Sequence, residues 1–216
     1  PVSVGEESQQ QPDSTELVEL SMRPSLLRLG DQPARPTVTF QNIQQGQHVV
    51  GYVHLITPDA LWVHIGQSIR GRVFVLDSSD DIEDLRLFQT RFKAGQAVKM
   101  EVLHVDPARQ QLDLSIKAAL KPEGEPYDPI KEGAIVPGRI ISIAPGRSIN
   151  VQLRSHTYGQ IVLTEIDDVY QPKPLEGFAE RQFINCFIVS IPQDKHPIEL
   201  STRKSRLGEA KHAQLN

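Results

Sequence analysis

The alternation of apolar and polar residues divides the chain into short strands, and one of these strands recurs. Val18-Glu19-Leu20-Ser21-Met22-Arg23, Leu112-Asp113-Leu114-Ser115-Ile116-Lys117 and Ile198-Glu199-Leu200-Ser201-Thr202-Arg203 share one order: apolar, acid, Leu, Ser, any residue, base. With a period of two, the Leu and the apolar residue before it face one side while the acid faces the other. A strand returning at this spacing predicts tandem small β-domains.

The stretches between the copies agree. Val49–Ile56, Leu61–Gly66, Gly71–Leu76 and Gly95–Val105 read as four strands ahead of the second copy. Turn signals separate them at Thr57-Pro58-Asp59-Ala60 and Asp106-Pro107-Ala108. Between the third and fourth strands, Leu85, Phe88 and Phe92 have helical spacing and predict a short helix. The order returns at Val136–Ile143, Ser148–Leu153, Gly159–Leu163 and Phe183–Val189 before the third copy. Five strands with a short helix between the third and fourth are the layout of the OB-fold. The expected fold is therefore all-β: two tandem five-stranded barrels of the OB type, each with that helix.

The expected organisation follows. Residues 1–43 are a disordered or linking segment, polar through 1–14, that carries a terminal strand (17–23) left from a preceding repeat. Residues 44–118 form the first barrel, 119–130 a hinge-like Pro/Gly linker, 131–206 the second barrel and 207–216 a polar tail. The orphan strand and the initial Pro1 suggest a piece of a longer chain, whose targeting signals would lie elsewhere.

Composition narrows the chemistry. An apolar content of 38% suffices for globular cores, and a net charge of −4 argues against a protein that coats nucleic acid by bulk charge. It leaves room for a neutral barrel with one reading face. The single cysteine excludes an internal disulfide and a cysteine-rich metal site. No run of 18 apolar residues is present to span a membrane as a helix. Neither a convergent catalytic set nor a cofactor motif is visible, so the chain reads as non-catalytic, with no cofactor, no metal and no small-molecule substrate. His54 and His64 lack a third ligand at metal-binding spacing. Asp80-Asp81 and Asp167-Asp168 read as solvated helix starts, and Cys186 as a buried core residue.

Parity assigns the faces of the first repeat. Leu61, Val63, Val73, Val75 and Val53 point inward, which turns Tyr52, His54, Trp62, His64, Arg72 and Phe74 outward, unless a bulge in the first strand shifts its register. Three rings on adjacent strands with a basic rim suit unpaired bases and their phosphates. The same rings can instead cover a sheet or pack on a neighbouring domain. In the second repeat the outward positions are Asn150, Gln152 and Arg154, then Gln160 and Val162, with Arg139 and Arg147 nearby. Stacking is absent there, which leaves hydrogen bonds and phosphate contacts, or a protein-docking surface. The arginines of 203–206 either clamp RNA or form an exposed basic end.

The succession Gly51-Tyr52-Val53, Leu61-Trp62-Val63, Gly71-Arg72-Val73-Phe74, Gly95–Val102 and Leu112–Ser115 resembles the S1 domain, an RNA-binding OB-fold. The resemblance implies a platform formed by the outward aromatic of the second strand and a third-strand residue, here Trp62 and Phe74. It places Asp59 where the family has a further aromatic, which removes a stacking partner and adds a charge repelling phosphate. It maps the family's Asp and Arg of the last turn to Asp106 and Gln111, with Arg109 as substitute. More narrowly, Leu20–Ser25 and Leu200–Arg206 are similar to the repeats of large nucleolar ribosome-biogenesis factors built from long S1 arrays. That implies single-stranded RNA binding, pre-rRNA and other ribosome-assembly factors as partners, rRNA processing and subunit assembly as the process, and nucleus and nucleolus as the place. The alternatives are a protein-docking module of such an assembly and the RNA-binding appendage of a ribonuclease or transcription factor.

Overall fold

The computed structural model describes residues 39–66, 69–122, 127–193 and 196–213. The orphan strand at 17–23, the polar segment 1–14, the linker at 24–36 and the centre of the inter-barrel linker lie outside them.

Ten strands close into two barrels. The first uses β1 (His48–Ile56), β2 (Ala60–His64), β3 (Arg70–Phe74), β4 (Ala97–Asp106) and β5 (Gln111–Ser115). The second uses β6 (Ile135–Ala144), β7 (Ser148–Arg154), β8 (Thr157–Val162), β9 (Phe183–Ser190) and β10 (Ile198–Ser201). Around each barrel the order is first, second, third, fifth, fourth, and back to the first. All pairings are antiparallel except third with fifth. This is the OB arrangement. Each barrel has its own core: Val53, Leu61, Val63, Val73 and Met100 in the first, Ile140, Ile149, Val151, Ile161 and Cys186 in the second.

The repeated strand closes each barrel, and three of its residues show why it recurs. Leu114 and Leu200 are fully buried. Each fills the space beside a glycine on the parallel third strand: a Cβ on Gly71 would lie 2.4 Å from Leu114 Cδ1, and one on Gly159 2.5 Å from Leu200 Cδ1. The following serines act alike. Ser115 Oγ donates to the Asp77 carbonyl at 3.0 Å and Ser201 Oγ to the Glu165 carbonyl at 3.2 Å. Those carbonyls end the 3-10 turns Val75–Asp77 and Leu163–Glu165 that follow each third strand. The terminal bases return to the same region: Lys117 Nζ donates to Asp80 at 2.9 Å, and Arg203 Nε to the Thr164 carbonyl at 2.8 Å. The phrase is a clasp.

The expected helix forms in one barrel only. After β3, Asp81 accepts the Glu83 amide at 2.8 Å and caps α1 (Ile82–Arg86), which is followed by α2 (Phe88–Arg91). Leu85, Phe88 and Phe92 turn into the core, the two rings edge-on at 5.6 Å. In the second barrel the corresponding segment makes only the 3-10 turn, because Pro172 and Pro174 remove helix donors and Gly177 adopts φ +100°. Asp168 is accordingly no helix start for its own segment. It accepts the Ser205 amide at 2.8 Å and hydroxyl at 2.5 Å, at the beginning of α3 (Lys204–Ala213). Those bonds hold its carboxyl below the usual range.

Candidate nucleic-acid interface

Cross-strand register arranges the first barrel's outer face in rows. Ala97, Tyr52, His64 and Arg70 form one row across β4, β1, β2 and β3. Leu55, Trp62, Arg72 and Asp113 form the next, and Ala60 with Phe74 a third. A bulge does shift the register of β1, between Val53 and Leu55, so Leu55 rather than His54 lies opposite Trp62. An extra residue on one strand leaves both neighbours facing out, and His54 tilts over His64 with ring centroids 4.5 Å apart. Tyr52 is 40% and Trp62 38% exposed. Burial, then the charges of His54 and Arg70, lower the His64 pKa below its ordinary value.

Parity missed two cations beside this patch. Arg70 precedes Arg72 by two on the same strand and stands exposed opposite His64. Lys99 is exposed between inward Val98 and Met100, and is the partner of Val50 on β1. The signal was available in both cases, since i and i+2 share a face.

The rest of the expected platform is differently placed. Phe74 lies opposite Ala60 at the end of β3 but is only 8% exposed: it packs with the first barrel's own core and is capped from the second barrel. The Arg139 guanidinium lies over the Phe74 ring at 5.4 Å and pairs with Asp59 at 2.5 Å. Asp59 is therefore a structural anion with a protein partner. Arg72 is bound to Asp113 at 2.8 Å and to Ser155 Oγ of the β7–β8 turn at 2.9 Å. Arg154 donates to Asp77 at 3.2 Å and covers the Tyr127 ring at 5.3 Å. Burial raises the Asp77 pKa, opposed by Arg154 and Lys117. His156 stands 3.8 Å from Asp113, and Phe183 of β9 packs on the first barrel's core. These contacts make a seam. The linker read as a hinge joins barrels that are pinned together, and Arg72, Phe74, Arg139 and Arg154 belong to the pinning surface.

The remaining candidates are scattered. Arg109 is exposed in the β4–β5 turn, 3.7 Å from Asp106, and Arg147 is exposed in the β6–β7 turn. By register Asn150 stands where the first barrel has Trp62, Gln160 where it has Arg72, Val162 where it has Phe74, and Arg139 where it has Tyr52. Asn150 donates to Ser142 at 3.0 Å and Gln160 to Ser148 at 2.7 Å, so these amides are occupied within the sheet. Arg203 and Arg206 approach Glu165 at 3.7 and 3.1 Å and are tied to their own barrel. Among the described residues no group of three metal-ligating side chains converges.

The family model of the RRP5 S1 domain matches residues 43–116, the barrel that carries the open face. The first barrel is thus an S1 domain of the RRP5 type, and most of the chain is similar to RRP5 proteins. The chain is 32% identical to the rRNA biogenesis protein RRP5 of Arabidopsis thaliana, over 88% of this chain and 11% of that protein. It is 29% identical to the RRP5 homolog of Mus musculus, over 88% and 10%. For the rRNA biogenesis protein rrp5 of Schizosaccharomyces pombe the identity is 25%, over 88% and 11%. The chain thus spans about a tenth of the length of these relatives.

Proposed function

We propose that this barrel pair binds single-stranded RNA without catalysis, through the open half of the first barrel's outer face. The observation that carries the reading is one pair of rings. Tyr52 and Trp62 stand exposed on adjacent strands of an S1 barrel, with His54, His64, Arg70 and Lys99 around them. Bases stack on the rings at about 1–3 kcal/mol each while the cations hold phosphates. The relatives' names, rRNA biogenesis protein among them, support rRNA biogenesis as the process; pre-rRNA as the target and the nucleolus as the place complete the proposal. As one module of an array, the pair need not bind tightly alone, since linked sites gain from effective concentration.

The second barrel takes the docking role. Its outward amides are paired within the sheet, and its exposed ring Tyr158, at the position of Arg70, has no second ring at the positions of Trp62 and Phe74, which supports contact with assembly factors rather than a stacking platform.

Titration of a labelled single-stranded pre-rRNA fragment tests the reading. Tyr52→Ala with Trp62→Ala should weaken binding by about 2 kcal/mol or more, with the salt slope unchanged because no phosphate partner is lost. Equal affinity for wild type and double variant would overturn it. Asn150→Ala with Gln160→Ala should leave RNA affinity as it was.

A further inference from the structure

The third row of the first barrel's face ends at the second barrel. Of three rings on β1–β3, two are open and the third, Phe74, is sealed by Arg139. Arg72 beside it is turned away from solvent by Asp113 and Ser155. The sealing is specific: Arg139 meets Asp59 and the Phe74 ring together, and Arg154 meets the nearly inaccessible Asp77.

We infer that the second barrel sets the length of the RNA face. Arg139 is a specificity-determining residue: seated on the outer side of Phe74, it limits stacking to two bases on a face whose strands carry three rings. This rests on the reading that the open face binds RNA, and departs from it by giving the second barrel a part in site size. The chemistry favours the closed arrangement. A guanidinium over a ring, paired with a carboxylate, satisfies both charges where a base would satisfy neither.

The test separates the seam from the RNA. Hydrogen exchange in Arg139→Gln with Arg154→Gln should show faster exchange in β3 and the β7–β8 turn, with Trp62 emission reporting a folded first barrel. Unchanged exchange would overturn the claim that these arginines hold the seam. Uridine oligonucleotides of two to six residues are then titrated. Wild type should gain little from stacking beyond two bases. The opened variant should bind the longer oligonucleotides roughly tenfold tighter, at the low end of one added stack. The gain should vanish on adding Phe74→Ala. Both substitutions remove positive charge, so a nonspecific electrostatic effect runs the other way. Faster exchange without a Phe74-dependent gain would refute the inference. If wild-type binding does not depend on Trp62, the RNA reading fails instead, and the exchange result stands apart from it.

Discussion

Placing a methyl group on Gly71 tests whether the clasp closes the barrel by filling a hole. The new Cβ of Gly71→Ala would sit 2.4 Å from Leu114 Cδ1, 3.2 Å from its Cγ and 3.4 Å from Ile65 Cδ1. All three are side-chain atoms, so Leu114 must leave its rotamer in a site with no spare volume. Overpacking of this kind costs about 1–3 kcal/mol, reduced by about 0.4–1 kcal/mol for the lost freedom of the unfolded glycine. The expected net loss is about 1–2 kcal/mol. Gly159→Ala should cost more, about 2–3 kcal/mol, because its Cβ also meets the Ile198 backbone oxygen at 2.9 Å and cannot be relieved by a rotamer change. Leu114→Ala alone should cost about 2–5 kcal/mol. In the double variant the added methyl occupies part of the vacated space, so the two losses should fall short of their sum by about 1 kcal/mol. Urea unfolding followed through Trp62, the one tryptophan of the chain, reads the first-barrel cycle directly, and circular dichroism reads Gly159→Ala. Strict additivity, or a Gly71→Ala protein as stable as wild type, would refute the argument.

Three further outcomes are expected. Ser115→Ala removes a buried hydroxyl that donates to the Asp77 carbonyl and accepts the Ala118 amide at 3.0 Å, and should cost about 1–3 kcal/mol in denaturant titration, with a valine replacement doing no better. Cys186 is fully buried and burial pushes its thiol up to about 12, so alkylation at pH 8 should proceed only as fast as the second barrel opens, and should accelerate in step with urea. His64 is held below its ordinary pKa of 6.5, so the unfolded chain takes up a proton first as pH falls. Stability should therefore be greatest above pH 6.5 and decline as pH drops toward the depressed value, and His64→Gln should flatten that part of the urea-midpoint profile.

Both barrels were legible because the apolar/polar alternation survives the bulges in β1, β4 and β6, and the clasp marks where each barrel ends. The site was half legible. Parity put Phe74 on the outside of β3, but outside a barrel is not the same as exposed to water, and nothing local in the sequence says that Arg139 will reach it from 65 positions away. Asp59 shows the same limit. Read within its own barrel it is a charge that repels phosphate; across the seam it is the partner of an arginine. The missing second-barrel helix had a readable cause in Pro172 and Pro174, whose weight was lost against the symmetry of the repeats. Arg70 follows from the same parity as Arg72, two positions away on one face of β3.

The seam also has a direction. Asp59 is contributed by the first barrel and Arg139 by the second, and register shows what stands at the arginine's position in the other copy. Where the second barrel has Arg139 the first has Tyr52. A second copy of the first barrel would set a neutral phenol, not a guanidinium, against the aspartate. At this contact the ion pair therefore depends on the order of the two barrels: the first barrel's aspartate takes its counter-charge from a successor of the second kind.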